Sequence, residues 1–377
     1  MTSRLSRSIR AVLVPCAIAL LLFAALEGGC RVAGRLRTGT WPRTRAESYR
    51  RFVLQVGSAY TRHPYLVVAG RPNATLSVPG HEVRLNSRGQ RGPEPEMPKP
   101  RGRFRVVCEG GSTTFDLLAA DNAHTWPQLL GADLAPRGAD VVNAGFPGWT
   151  TVENLVSLEL RDVDLSPDLV VVFAGVNDLQ PAGHLPFTRE YTAGHADLLP
   201  RVLGVAPVPI RLASRSLLVE TLLNALRPGP APDEGYAPAW EWKGGARKDD
   251  VPSEAVEVFA RNLRSIAGVG RAHGARTLFV AQGARIRGGR ERPDAEYLES
   301  WAPGLTSKGF LHGLERYGAA AKEVAASSGS DFLDPFAETK FDDADFADPF
   351  HFSASGSERF ARTLASWIGG RLPASGR

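Results

Sequence analysis

Glu109-Gly110-Gly111-Ser112-Thr113-Thr114 is the stretch from which the rest of the chain can be read. It follows Phe104-Arg105-Val106-Val107-Cys108, an apolar run of strand length, and precedes Phe115-Asp116-Leu117-Leu118, where helical spacing can begin. A serine at a strand-to-helix turn is presented rather than buried. Two glycines before it let the backbone turn tightly with no Cβ in the way. The amides that open the helix favour negative charge close by. Such a turn suits an attacking hydroxyl or a passive anion cradle, and the turn alone does not choose between them.

Downstream, the same rhythm repeats. Helical spacing from Trp126 to Leu134 leads to a second strand, Asp140-Val141-Val142, which ends in Asn143-Ala144-Gly145-Phe146-Pro147-Gly148-Trp149. Thr150 or Thr151 can cap the next helix, through Leu155, Leu158 and Leu160. The third strand, Asp168 to Ala174, is apolar on both faces and ends in Gly175-Val176-Asn177-Asp178. Continuous apolar strands alternating with helices predict a parallel sheet covered on both sides. In such a sheet the three Gly-containing polar turns share the carboxyl edge, where ligands bind. A helix from Ser253 to Ala272, a fourth strand from Arg276 to Ala281, a helix from about Gly309 to Ser328 and a short strand Asp331-Phe332-Leu333 continue the pattern. Asp348-Pro349-Phe350-His351-Phe352-Ser353 and a last helix from Ser355 to Ile368 end it. Residues from about 181 to 252 break the rhythm with Pro186, Pro200, Pro207 and Pro209, a helical run from Leu212 to Leu226 and a loop holding Trp240-Glu241-Trp242. This reads as an insertion over the site, whose tryptophans either meet substrate or pack the insertion down.

Upstream, residues 31–103 read as a small β-rich lead-in with short strands at Tyr65-Leu66-Val67-Val68 and Glu82-Val83-Arg84-Leu85, a charged helical patch from Glu47 to Val56, and a Pro-rich linker from Glu94 to Arg103. Its residues carry no chemical signal of their own. At the N-terminus, Arg4, Arg7 and Arg10 precede an uninterrupted apolar run of 16 residues, Ala11 to Leu26. A basic head before an apolar segment is the pattern of a secretory signal or a signal anchor, so residues 1–30 are assigned to one of these and the protein is expected to be exported: anchored in the cell membrane, periplasmic or extracellular. The run is shorter than the roughly 20 residues of a comfortable span, and Arg31, Arg35 and Arg37 on its far side blunt the positive-inside argument. Cys30 invites a lipoprotein reading, but Glu27 stands where a lipobox wants leucine, which favours an anchor or a cleaved signal.

With 377 residues, 43% hydrophobic and 23% charged, the chain can bury a sizeable core. Its formal charge of +5 comes from scattered arginines with few lysines, and no aromatic-interleaved basic stripe or zinc-finger spacing accompanies them, so no nucleic acid is expected as partner. The three cysteines, Cys16, Cys30 and Cys108, make no disulfide framework. No histidine–carboxylate grouping has metal spacing, and no cofactor is called for. His124, His184, His195, His273 and His312 read as structural.

From about Phe104 to Gly370 these residues resemble the SGNH (GDSL-type) hydrolase superfamily, with the insertion unmatched. Four blocks occur in the expected order: Gly110-Gly111-Ser112-Thr113-Thr114, with glycine where many members have aspartate before the serine; Asn143 to Gly148; Gly175-Val176-Asn177-Asp178; and the Asp-x-x-His pair of Asp348 and His351. The Asn-Ser-x-Gly-x-Arg-Gly run from Asn86 to Gly92 also resembles exported bacterial members. The resemblance implies a three-layer α/β/α, flavodoxin-like domain over residues 104–372. It implies Ser112 as nucleophile, His351 as its base within about 2.6–3.2 Å, and Asp348 holding the other imidazole nitrogen. Asp342, Asp343 and Asp345 share the acidic run, but only Asp348 has the three-residue offset to His351. The implied oxyanion donors are the amides of Ser112 and Gly148 and the side-chain amide of Asn177, each worth about 10²–10³ in rate. Gly148 is then expected to be glycine because a side chain would crowd the substrate carbonyl. The implied activity is hydrolysis of an acyl ester, with an acetyl group on a carbohydrate as the leading substrate class. An O-acetyltransferase acting on an envelope or extracellular glycan needs the same residues. A non-catalytic glycan-binding protein of the same fold is the third reading, and intact Ser112, Asn177 and His351 speak against it.

Overall fold

The computed structural model describes residues 2–44, 57–78, 80–183, 187–191, 199–200, 246–285 and 294–372, together with 47, 50, 203 and 215–226. The chain forms two compact units: Gln55–Val205 with Trp240–Arg377, and Met1–Leu54 with Ala206–Ala239. Trp240, Trp242, His184 and His195 lie outside the described residues, as does most of the helical patch expected at 47–56.

The larger unit opens with two antiparallel pairs, β1 (Tyr60–His63) with β2 (Val67–Gly70), and β3 (Thr75–Val78) with β4 (His81–Arg84). The expected strands at 65–68 and 82–85 are thus each half of a hairpin-like pair. Their apolar faces, including Tyr60, Val68, Leu76 and Val83, pack on Phe115, Phe146, Trp149 and Leu199 of the main domain.

The central sheet has five strands: β5 (Phe104–Gly110), β6 (Ala139–Asn143), β7 (Leu169–Phe173), β8 (Arg276–Val280) and β9 (Asp331–Leu333). They run parallel in the order β6-β5-β7-β8-β9. Register is set by apolar pairs such as Val107 beside Val142 and Cys108 beside Val171. In β7 all five residues are buried, and alternation sends them to two different cores. Val170 and Val172 face Phe259, Leu263 and Ile266 of helix Ser253–Ala272, and Phe310 and Leu314 of helix Ser307–Ser328. Val171 and Phe173 face Trp126 and Leu130 of helix Trp126–Leu134, and Phe360 and Leu364 of helix Ala354–Gly369. A sheet apolar on both faces and covered on both faces gives the three α/β/α layers.

Two local outcomes depart from the helical spacing. The helix after the Gly-Gly turn covers only Ser112–Phe115, because Asp116 turns left-handed at φ 57° and ends it. The Asp116 carboxylate instead accepts from Trp126 N at 2.8 Å and Ser357 Oγ at 2.7 Å. After β6, Thr150 caps helix Thr151–Ser157 in a reciprocal box with Glu153, and the helix then widens into a π-turn at Leu158–Asp162.

In the smaller unit, helix Thr2–Thr38 holds one stretch, Val12–Thr38, that is long and apolar enough to cross a membrane. That is compatible with a signal or membrane anchor. A second helix of this unit spans Leu217–Leu226.

Candidate active site

Each of β5, β6 and β7 runs into one of the sequence blocks, so the three polar turns meet at the carboxyl edge of the sheet. The first is stitched to its neighbours through Gly110, whose carbonyl accepts from Phe146 N at 3.0 Å and from Asn154 Nδ2 at 3.1 Å. At Gly111 a Cβ would lie 2.3 Å from Asn177 Nδ2, so glycine there lets the third block press against the residue before Ser112.

The fourth block closes over this edge. Ser112 Oγ lies 2.7 Å from His351 Nε2, and His351 Nδ1 lies 2.7 Å from Asp348 Oδ2. The other Asp348 oxygen accepts from the amides of Phe350 at 3.0 Å and His351 at 2.8 Å. Asp348 therefore fixes both the backbone and the ring that follow it. With Nδ1–H donating to Asp348, Nε2 is left as the acceptor for the serine hydroxyl. Burial would raise Asp348, but the paired imidazole of His351 and the two amides more than offset it and hold the carboxyl below its ordinary value. Ser112 is 5% exposed and His351 6%, so both side chains are nearly shielded from water.

Asn177 Nδ2 donates one proton to Trp149 O at 2.7 Å, and its second proton has no acceptor among the described residues. No acceptor among the described residues takes the amide of Ser112 or of Gly148. Gly148 sits at φ +83°, and a Cβ would meet Leu199 Cδ1 at 2.2 Å. The left-handed backbone and Leu199 above it already call for glycine at this position. A narrow cleft beside Ser112 is lined by Thr113, Trp149, Val176, Asn177 and Gln282.

Three supporting residues carried no signal in the sequence. Gln282, two residues past β8, donates from Nε2 to Thr113 Oγ1 at 2.7 Å and accepts from Val176 N at 2.6 Å, locking the first block to the third. Arg285, 7% exposed, donates to the carbonyls of Asp343 at 2.7 Å and Phe346 at 2.5 Å, while its own amide reaches Pro349 O at 2.7 Å, bracing the loop that carries Asp348 and His351. Arg91, 1% exposed, comes from the lead-in. Its guanidinium donates to the carbonyls of Phe115, Asp116, Ala119 and Asp121, and so pins the segment that follows Ser112. The lead-in therefore does contribute to the site, through a buried arginine that composition cannot distinguish from the many exposed ones.

Other acids nearby are shifted by burial or engaged by neighbours. Burial, with the Asp162 carboxylate beside it, pushes Glu109 well above the usual carboxylate range. Burial also lifts Asp116 to about 6. Of the remaining acids in the run before Asp348, Asp342 caps a short 3-10 turn and Asp345 pairs with Arg359 at 2.9 Å. Among the described residues no group of three or more His, Cys, Asp or Glu could hold a metal ion.

Residues 108–359 match the GDSL-like Lipase/Acylhydrolase family. No curated protein matches the sequence. Solved structures similar to this chain include a lipase/acylhydrolase from Enterococcus faecalis, at 17% identity over 73% of this chain and 100% of that one, with a TM-score of 0.42. A carbohydrate acetylesterase from Sinorhizobium meliloti matches at 14% identity over 71% of this chain and 100% of that one, with a TM-score of 0.41. An acetylxylan esterase from Geobacillus stearothermophilus, solved as a catalytic mutant, matches at 16% identity over 71% and 94%, with a TM-score of 0.41. Since the family match spans two of every three residues, the chain is a hydrolase of the GDSL-like lipase/acylhydrolase family.

Proposed function

We propose that this protein is a serine esterase that removes a short acyl group, an acetyl group first among candidates, from a carbohydrate ester through an acyl-enzyme on Ser112. The observation that carries the reading is the pair of 2.7 Å contacts linking Ser112 Oγ to His351 and His351 to Asp348. In the first step Ser112 Oγ attacks the ester carbonyl carbon as its proton passes to His351 Nε2, and Asp348 stabilises the imidazolium. The oxyanion is received by the Ser112 and Gly148 amides and the free proton of Asn177 Nδ2. Collapse expels the alcohol, which takes the proton from His351. Water, deprotonated by the same imidazole, then releases the acid and restores Ser112.

The short acyl group and the carbohydrate alcohol both follow from the family resemblance. The test is release of free acid from p-nitrophenyl esters of increasing chain length and from O-acetylated oligosaccharides, with acceptor glycans present and absent. Acetate release that falls off beyond short chains supports the proposal. Esters longer than butyrate being preferred would refute the short-acyl reading, and acyl transfer to glycan in preference to water would make the protein an O-acetyltransferase.

A further inference from the structure

Glu27, which broke the lipobox pattern, has a partner from the far side of the chain. Its carboxylate accepts from Ser216 Oγ at 2.9 Å, Leu217 N at 3.1 Å and Leu218 N at 2.9 Å. These are donors at the opening of helix Leu217–Leu226, where the first amides have no carbonyl of a preceding turn to reach. Ser216 Oγ in turn accepts from Val219 N at 3.2 Å. Arg31 Nε pairs with Glu27 at 3.0 Å and its Nη2 reaches Glu47 at 3.1 Å, so the carboxylate is built into a small polar network, with Arg31 as its charge partner.

The helix capped in this way, Leu217-Leu218-Val219-Glu220-Thr221-Leu222-Leu223-Asn224-Ala225-Leu226, has seven apolar residues among ten. Leu222 is 54% exposed and Leu226 77%. A helix this apolar has no stable place in water unless something apolar covers it. The element it packs with is the N-terminal helix, whose Val12, Leu13, Ile18, Leu20, Leu21 and Leu22 are likewise exposed. Glu27 follows directly on the apolar run. The 15 residues from Val12 to Leu26 rise about 22 Å as a helix, less than a hydrocarbon core of about 30 Å, which sets Glu27 near the margin of the apolar layer.

We infer that the occupant of this face is a lipid bilayer: the N-terminal helix is retained as an anchor, and helix Leu217–Leu226 lies against the membrane beside it, held there by Glu27. Removal of the N-terminal segment through Glu27 would take that carboxylate from helix Leu217–Leu226 and leave the helix's exposed leucines without their neighbour. The insertion then serves as a second membrane contact.

The test uses the full-length protein in nanodiscs of phosphatidylcholine and phosphatidylglycerol. Cys16 and Cys30 are replaced by serine, and a nitroxide is attached after Leu222→Cys, Leu226→Cys or, as a water-exposed reference, Leu160→Cys. The expected result is a ratio of oxygen to nickel-chelate collisions several-fold higher at 222 and 226 than at 160, with Glu27→Ala moving both toward the value at 160. Near-UV circular dichroism reports whether Glu27→Ala remains folded, and Glu27→Gln, which keeps one acceptor oxygen, is expected to fall between. Nickel-chelate access at 222 and 226 equal to that at 160 overturns the proposal, because water is then the occupant. Exclusion of both collision partners overturns it as well, because a protein surface is then the cover. Intact mass of the membrane-extracted protein is expected to include residues 1–38, and a mature chain lacking them also overturns it.

Discussion

Asp348→Asn tests the relay at its least obvious member. In the wild type one carboxylate oxygen accepts from the amides of Phe350 and His351, and the other accepts from His351 Nδ1. Asparagine can fill only one of these roles with an oxygen. Two amide donors outcompete one ring nitrogen, so the Asn oxygen stays on the backbone and its NH₂ turns to His351. That forces Nδ1 to accept, which puts the ring proton on Nε2, facing Ser112 Oγ across 2.7 Å. The base is then already protonated on the side where it must take the serine proton. The loss expected for such a tautomer reversal is about 10⁴ in kcat, or about 5 kcal/mol in the barrier. Because the backbone acceptor survives, thermal stability should change little. The assay is kcat and KM on a short-chain p-nitrophenyl ester, with unfolding measured in parallel. A variant within tenfold of wild type would refute the reasoning, since the carboxylate would then not be setting the tautomer.

Gly148→Ala is expected to lower kcat by one to two orders of magnitude and to cost about 1–2 kcal/mol in stability, the range for a strained left-handed residue; adding Leu199→Ala relieves the clash but not the φ, so only the stability should partly recover. Arg91→Lys, which cannot satisfy four buried carbonyls with one ammonium, should destabilise the fold by about 2–4 kcal/mol in urea unfolding, and an unchanged midpoint would show that the lead-in does not brace the site. Burial pushes Asp178 up to about 7 from the ordinary 3.8. The fold thus keeps a proton that the unfolded chain has lost, and this group's contribution to stability falls as pH rises from about 4 to about 7. The stability difference between wild type and Asp178→Asn should change across that window and be flat above it; a constant difference throughout contradicts the assignment.

Legibility followed the chain's own logic. Strands buried on both faces announce themselves as continuous apolar runs, which is why β5, β7 and β8 could be read nearly to the residue. The four blocks were equally visible, because Ser112, Asn177, Asp348 and His351 are polar residues in turns beside apolar strands. What could not be read was support from a distance. Gln282 looks like any polar residue after a strand, and Arg91 and Arg285 are two arginines in a chain rich in exposed ones; only the packed structure distinguishes them. The short reach of the Ser112 helix was hidden for the same reason, since Asp116 ends it by bonding to Trp126 and Ser357, the latter from the last helix. Glu27 gave only a negative signal, and its partners lie almost two hundred positions away, too far for any local pattern.

The proposed mechanism stands on Ser112 as the nucleophile and His351 as its activator. The most direct measurement is mass spectrometry of the peptide containing Ser112 after treatment with a fluorophosphonate, in wild type and in His351→Ala. A single phosphonyl adduct on Ser112 is expected in the wild type, formed orders of magnitude more slowly in the variant. An adduct on any other residue, or equal labelling rates in both proteins, would contradict it.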